Sequence, residues 1–316
     1  MKGARACKPM SYLGTDTTNR KEMDVSVIVP VYNDPSGIEG TLRSMTAQSY
    51  NPNKYEVIAV DNGSSDETPA VIKHYANEYP EIVVAEQETE VQGSYAARNT
   101  GISKSSGEII VFVDADVIVP EETVEMIVEK FSTTHCDYLG LDIAVTIPET
   151  EQGLIARYNK ARAFPVEFYL THHDFAPTCG LAIKRSIIED VGRFDQRVTS
   201  GGDSEFGKRV AKAGYTQCFA PEIELSHPAR TTFSEILSKG VRLGEGRAQL
   251  RQNHGESSLK LKDILPPHPV KYWKRLSKKK PIIMFVVFYI LETIMKTCKL
   301  KGIIKEGVKH RFGSSR

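Results

Sequence analysis

What the chain lacks narrows its class before any motif is read. No apolar run approaches the roughly 20 residues that a membrane-crossing helix requires; residues 281–291 go only eleven positions without a charge. The five cysteines (Cys7, Cys136, Cys179, Cys218 and Cys298) are scattered, odd in number and never spaced C-x-x-C. That pattern argues against a disulfide scaffold or a zinc site and favours a reducing compartment. The first residues carry no apolar stretch of the kind a secretory leader needs, so residues 1–23 read as a disordered lead-in and the body is expected in the cytosol. Net charge is almost absent: 41 Lys/Arg oppose 40 Asp/Glu. Nothing in that total calls for a nucleic-acid partner. No internal repeat or low-complexity tract is visible.

The charge that exists is unevenly placed. Residues 271–316 hold thirteen Lys/Arg against only Glu292 and Glu306, which leaves the rest of the chain acidic. Such asymmetry suits a tail that meets an anionic surface, a membrane being the simplest.

With 316 residues, 40% of them hydrophobic, the chain can bury one sizeable α/β core and still carry an appendage. Residues 25–31 (Val-Ser-Val-Ile-Val-Pro-Val) make a β-branched run typical of a strand buried on both faces, with Pro30 near its end, where a missing N–H costs least. Helical spacing at 38–47 leads to a strand at 56–60, the turn Asp61-Asn62-Gly63-Ser64-Ser65, and a helix at 66–78 that tolerates Pro69 in its first turn. A strand at 82–85, a helix at 94–104 and a strand at 108–113 continue the alternation, which predicts βαβ units and a mainly parallel sheet. Beyond Pro120 the pattern gives a helix at 121–131, a strand at 138–146, a helix at 152–163, a loop with Thr171-His172-His173-Asp174, and a strand at 181–184. A helix over 203–214, a short strand at 216–219 and a helix over 233–252 follow, the last weakened by Gly240, Gly244 and Gly246.

The chemistry is suggested first by Phe112-Val113-Asp114-Ala115-Asp116, at the end of a buried strand. In open α/β sheets, ligands bind outside the carboxyl ends of the strands. Carboxylates spaced i, i+2 there can divide the labour: one accepts from a ribose hydroxyl, the other holds a divalent cation through hard oxygen contacts. Two exposed turn aspartates would look the same in isolation.

Their company is specific. Val25-Ser26-Val27-Ile28-Val29-Pro30-Val31-Tyr32-Asn33-Asp34, Val60-Asp61-Asn62-Gly63-Ser64-Ser65-Asp66-Glu67-Thr68, Ala97-Arg98-Asn99-Thr100-Gly101 and Val113-Asp114-Ala115-Asp116 occur in that order. Over about residues 24–247 the chain resembles the family 2 glycosyltransferases of the GT-A fold. The resemblance implies an α/β, Rossmann-like, mainly parallel mixed sheet flanked by helices. It also implies inverting transfer of a sugar from a nucleotide-diphosphate donor, a UDP-sugar by preference, to a hydroxyl of a glycan or lipid-linked acceptor. A divalent cation, Mg2+ or Mn2+, would be the cofactor. Around the donor it places Pro30, Tyr32, Asp61, Arg98 and Asp114, with Asp61 accepting a uracil imide N–H, Arg98 near a helix start favouring phosphate, and Asp114 on the ribose. Asp116 would be a metal ligand. Asp61-Asn62-Gly63 is also an ordinary turn signal, and Arg98 can equally be a surface ion-pair partner.

The second half resembles the family's acceptor side. Cys179-Gly180-Leu181-Ala182-Ile183-Lys184-Arg185 is similar to the glycine loop that lines the acceptor site, which singles out Gly180. Gly201-Gly202-Asp203-Ser204-Glu205-Phe206-Gly207-Lys208-Arg209 resembles the segment that carries the catalytic base. So aligned, Asp203 is the base, Glu205 the following acid and Arg209 the expected arginine, while Gly202 stands where glutamate is more usual. In-line attack at an anomeric carbon needs a carboxylate within hydrogen-bond reach of the acceptor hydroxyl; an aspartate after glycines can equally cap a helix. His227, in Ser226-His227-Pro228-Ala229-Arg230, matches a late histidine that reaches the metal or diphosphate, and imidazole is a competent ligand beside carboxylate. A lone histidine after a strand is otherwise commonly structural. Arg242 and Arg247 either help hold the diphosphate or are solvated helix charges. His172-His173-Asp174 is set aside as a metal site, because adjacent histidines point apart on a regular backbone; an acceptor-facing loop fits it better.

Residues 254–316 form the appendage. The 281–291 run has Lys278, Lys279 and Lys280 before it and Lys296, Lys299 and Lys301 after it, which suits an interfacial helix with cationic flanks. A core helix packed on the domain is the alternative. Trp273 either marks the membrane interface or packs. The expected organisation is thus lead-in 1–23, catalytic domain 24–253 and membrane-associating tail 254–316, on the cytoplasmic side of a membrane as a peripheral or monotopic protein. Two other functions are weighed. Nucleotidyl transfer would want a glycine-rich, lysine-containing loop after the first strand, which Pro30-Val31-Tyr32-Asn33-Asp34 is not. A non-catalytic sugar-nucleotide-binding subunit of a glycan assembly is opposed by the joint presence of Asp116, Asp203 and His227.

Overall fold

The computed structural model describes residues 23–162, 164–253, 257–269 and 282–313. Residues 1–22 of the expected lead-in, Trp273 and the Lys278–Lys280 cluster lie outside the described residues. One seven-stranded sheet has the order β3-β2-β1-β4-β6-β5-β7. Strands β1 (Val25–Val31), β2 (Tyr55–Asp61) and β4 (Ile109–Val113) are buried along their whole length, as apolar runs without alternation require. With β3 (Val83–Gln87) they pair in parallel. Strand β6 (Gly180–Lys184) runs antiparallel to β4 and to β5 (Tyr138–Thr146), and β7 (Gln217–Pro228) returns parallel to β5. The sheet is therefore mixed and mainly parallel, as expected.

Helices α1 (Pro35–Thr46), α2 (Thr68–Glu78), α3 (Ser94–Lys104) and α4 (Thr123–Thr133) make the first crossovers. Because β1 has β2 on one side and β4 on the other, the strand order reverses there. The loops that leave β1 at Tyr32 and β4 at Asp114 therefore face one crevice at the topological switch point, where ligands bind in such sheets.

Three expectations need correction. The Thr171–Asp174 loop is the end of helix α6 (Val166–His173), which follows α5 (Leu154–Ala161) and stops at Asp174 with φ 57°. Val166 and Leu170 are buried at i, i+4, and this short apolar pair was hidden by the polar histidines. Helix α7 (Arg185–Val191), between β6 and α8 (Gly202–Lys212), was not anticipated. Strand β7 does not stop at 219 but continues to Pro228, with Pro221, Glu222 and Ile223 bulged out between the Leu141–Ala220 and Asp142–Glu224 pairs. Pro221 breaks the local strand pattern, and a bulge absorbs it without ending the ladder.

The cysteine reading also fails in part. Cys136 and Cys218, 82 positions apart, form a disulfide with Cα atoms 6.0 Å apart. Parallel pairing of β5 with β7 sets Leu139 opposite Cys218 and so brings the thiols together, a proximity that no sequence spacing could reveal.

Helix α9 (Phe233–Asn253) forms in spite of its glycines, and the tertiary structure explains them. The C-terminal helix crosses it in close contact; after α10 (Leu261–Ile264) this is α11 (Ile282–Gly313). A side-chain carbon on Gly244 would overlap the Lys299 carbonyl, and one on Gly302 would overlap the Val241 carbonyl. Around the crossing Tyr158, Ile236, Phe288, Leu291 and Met295 form a separate buried cluster. Glu292 binds Tyr158 and Arg162. The packed-helix alternative thus accounts for one face of α11. No described helix is long and apolar enough to cross a membrane.

Replacing Gly244 by valine should lower the thermal midpoint, since overpacking costs about 1–3 kcal/mol or more. Gly153→Ala, where an added carbon meets nothing within 4 Å, should leave it nearly unchanged. Equal midpoints for the two variants in calorimetry would show that the helices do not depend on this contact.

Candidate active site

The carboxylates of Asp114 and Asp116 follow β4 directly, and His227 sits near the end of β7, opposite Val145 of β5. A two-residue backbone bridge connects them: Ile118 N donates to Ser226 O at 2.8 Å and Ser226 N to Ile118 O at 3.0 Å. That bridge draws the loop after β4 against β7. One ligand atom each of Asp114, Asp116 and His227 consequently lies within 4.8 Å of the others.

His227 is buried, and its Nδ1 lies 2.8 Å from Pro228 O. A carbonyl can only accept, so Nδ1 is the donor there, and Nε2 faces Asp116 Oδ1 at 3.7 Å. Burial raises the proton affinity of Asp116, with Asp114 and Asp34 adding to it and His227 and Arg230 opposing it. Two hard carboxylates and an imidazole whose Nε2 faces them form a donor set of the kind that holds a divalent cation such as Mg2+ or Mn2+. The surrounding cleft has about 470 Å³ and includes Asp34, Asp116, His227, Arg230 and Glu235. Arg230 was quoted in the sequence but given no role; its position three residues after His227 was the available signal.

The expected donor residues lie on or next to the neighbouring strands β1, β2 and β4 and on α3, and none of them lines that cleft. Pro30 is buried in β1, and Tyr32 beyond it is 49% exposed. Asp61 ends β2, where its carboxylate accepts from Ser64 N and Gln87 Nε2, so the turn reading holds alongside any ligand role. Arg98 differs from expectation. It is only 3% exposed, stands behind Asp114 with Nη2 2.5 Å from Oδ1, and also donates to the Ser94 carbonyl. Its Nε has no acceptor among the described residues. Burial of α3 on the sheet, invisible in the local sequence, makes the ion pair that was the alternative to phosphate contact a buried one with Asp114.

Asp203 lies in an adjoining cleft of about 400 Å³ with Tyr158, Arg162, Phe164, Lys239 and Arg247 among its walls. It is the second residue of α8, whose N-cap is Gly201, and its Oδ1 accepts from Ser204 N at 2.8 Å; the capping alternative is not realised. Tyr95 of α3 fixes this helix start, its hydroxyl accepting from Gly202 N at 2.9 Å and Asp203 N at 3.3 Å. The same ring explains the unexpected glycine. A carbon added to Gly202 would lie 2.8 Å from Tyr95 ring atoms, so a glutamate could enter only if the ring moved. Burial raises the proton affinity of Asp203, and Asp114 adds to it while Ser204 N and Arg98 oppose it. Asp203 thus lies within electrostatic reach of Asp114.

Other expected residues play supporting parts. Glu205 is clamped by Arg209 at 2.7 and 3.0 Å, and Arg209 reaches on to the Val191 and Arg193 carbonyls. Gly180 is buried at the start of β6, opposite Val113; Phe175 and Pro177, ahead of it, line the cleft. Arg242 is exposed on α9, and Arg247 pairs with Asp263. His173 lines the Asp203 cleft from the end of α6.

Comparison with known proteins agrees with this geometry. The family model described as glycosyl transferase family 2 matches residues 26–192. The chain belongs to glycosyltransferase family 2. It is 39% identical over 227 residues to the glycosyltransferase AglE of Haloferax volcanii, covering 72% of this chain and 73% of that one. The same fold occurs in the mannosyltransferase PcManGT of Pyrobaculum calidifontis, solved with GDP-Man and Mn2+ (TM-score 0.55, 22% identity, 92% of this chain and 76% of that one). It also occurs in S. aureus TarS solved with UDP-GlcNAc (TM-score 0.54, 17% identity, 92% of each chain). This glycosyltransferase accordingly has the GT-A fold.

The raised proton affinity of Asp203 has a definite sign in stability. Its contribution is complete below the ordinary aspartate pKa of about 3.9 and is lost as pH rises through the raised value. Asp203→Asn, which keeps the Ser204 hydrogen bond, should therefore raise the melting midpoint at neutral pH by about 2–4 °C. The gain should shrink as the buffer is acidified toward the ordinary aspartate pKa. A lower midpoint at neutral pH would contradict this.

Proposed function

We propose that this family 2 enzyme transfers a sugar, with inversion, from a nucleoside-diphosphate donor to a hydroxyl of a glycan or lipid-linked acceptor at a membrane surface. The observation that carries the reading is the pairing of two adjoining clefts, one lined by Asp116 and His227 with Asp114 clustered beside them, the other holding Asp203. UDP is the preferred nucleotide because Asp61 offers a carboxylate at the base position of the switch-point crevice. Support for a nucleotide-sugar donor also comes from the GDP-Man and UDP-GlcNAc complexes of the two structural relatives.

Each residue then has a defined task. Tyr32 and Pro30 line the base end of the crevice, and Asp114, held in place by Arg98, serves the ribose side and closes the ligand set with Asp116 and His227. A bound divalent cation there would neutralise the charge that grows on the departing diphosphate. Arg230 adds a fixed positive charge in the same cleft. Asp203 accepts the proton of the acceptor hydroxyl while that oxygen bonds to the anomeric carbon, and the bond to the diphosphate breaks with its electron pair. Attack from the face opposite the leaving group gives inversion. The raised proton affinity of Asp203 suits a base working near neutrality.

Membrane contact is assigned to residues 271–316. Successive helical residues turn by about 100°, so Ile282, Val286 and Ile290 share a face opposite Phe288, Leu291 and Met295. The latter three are buried, whereas Ile282 and Ile283 are more than 70% exposed and Val286 and Ile290 about half exposed. Leu261, Ile264 and Leu265 add exposed apolar surface beside α11. An apolar stripe among lysines fits the headgroup region of an anionic bilayer.

Screening UDP- and GDP-sugars with Mn2+ should identify one donor that is turned over, and a chelator or Asp116→Asn should abolish that turnover. Asp203→Asn should keep nucleotide affinity and lose transfer by about 10²–10⁴-fold. Full turnover in chelator, or near-normal transfer by the Asp203 variant, would defeat the mechanism. For the membrane, replacing Ile282, Ile283, Val286 and Ile290 with serine should weaken co-sedimentation with anionic vesicles by about tenfold or more while the midpoint stays constant. Undiminished sedimentation would remove this face as the anchor.

A further inference from the structure

The cleft that holds Asp203 is unusually cationic for a sugar site. Arg162, Lys239, Arg247 and Lys299 line it, and Asp203 is the one carboxylate among its lining residues. Two of those cations have protein counterions: Arg162 pairs with Glu292 and Arg247 with Asp263. Lys239 does not. Its ammonium lies 5.7 Å from the centre of the Phe164 ring, and no carboxylate or carbonyl lies within bonding distance among the described residues. It is deeply seated yet open to the cleft, and burial, with Arg230, Arg162 and Arg242 nearby, lowers its pKa to about 7. An ammonium with only a ring face as partner becomes costly once a ligand covers it, unless that ligand brings an anion.

The rest of the cleft is suited to a sugar ring. Tyr158, Phe164, Tyr169 and Phe175 supply aromatic walls, so the site combines apolar faces with a few convergent polar groups. Lys239 shares this cleft with Asp203, while the cleft of Asp116 and His227 has its own cation in Arg230. Lining the Asp203 cleft points Lys239 toward the acceptor; the Phe164 ring it contacts also lies 5.5 Å from the His227 ring, so the diphosphate is the competing partner that the test must separate.

Building on the transferase reading above, we propose that the acceptor carries an oxyanion, a sugar carboxylate or a phosphate ester, which the Lys239 ammonium seats beside the Asp203 carboxylate. The charge then orients the ring, so that one hydroxyl is presented to Asp203. An uncharged sugar of the same shape would leave Lys239 buried and unpaired, and the enzyme would discriminate against it on that ground.

The test uses the full chain with UDP and Mn2+ present and three probes: p-nitrophenyl β-glucuronide, p-nitrophenyl β-glucoside and the 6-phosphate of that glucoside. Titration calorimetry should show at least one anionic probe binding about tenfold or more tighter than the glucoside, and the comparison of the two identifies which anion is seated. Lys239→Met should remove that preference, and Lys239→Arg should restore most of it. Affinity for UDP should stay within about twofold in both variants. Equal binding of all three probes to the wild type, or no measurable binding of either anionic probe, overturns the proposal. So does a Lys239→Met variant that loses UDP affinity as strongly as it loses the anionic probe, since Lys239 would then serve the diphosphate. Failure of the wild type to bind UDP with Mn2+ would instead strike the transferase reading, and the probe preference would still be read separately.

Discussion

The Ile118–Ser226 bridge is the constraint on which the site depends. The parallel half of the sheet delivers Asp114 and Asp116, and the far edge delivers His227, with β6 and β5 between them. Nothing in strand pairing alone would bring an edge strand to a loop at the switch point. Two backbone hydrogen bonds do so, and they act at the end of a β7 strand that reaches this far only because its bulge absorbs Pro221. Backbone groups are well suited to this task, because a ladder bond fixes both position and direction of the chains it joins.

Helix α9 extends the same logic to the acceptor side. Its Gly240 and Gly244 accept the close crossing of α11, and its Gly246 lies against the Ser200 backbone, just before the glycines that begin the Asp203 helix. Tyr95 holds the other side of that helix start. Asp203 is thus set between contacts from α3 and α9. Met295 and Lys299 of α11 reach its cleft, so the C-terminal helix is a wall of the Asp203 cleft as well as the element proposed to meet the membrane.

Charge is held at these clefts against the preference of burial. Asp116 and Asp203 both bind protons more readily than free aspartate, and Lys239 less readily than free lysine. Groups kept in the wrong protonation balance lower the stability of the empty protein and are satisfied by ligands that bring the opposite charge. The disulfide between Cys136 and Cys218 ties the β5–β7 edge away from this region.

Much of this molecule was legible in its sequence, because local periodicity and short ordered motifs encode it. The buried β1, β2 and β4, the crossover helices, and the placing of Asp114 and Asp116 after β4 all follow from runs of a few adjacent residues. The tertiary structure decided the rest. The burial of Arg98 behind Asp114, the extension of β7 to His227, the reason for glycine at 202, the glycines of α9 and the seating of Lys239 over Phe164 each depend on a residue from 16 to more than a hundred positions away. Sequence alone determined which groups this enzyme carries and in what order; folding determined which of them meet, because contact is a property of packing and not of spacing along the chain.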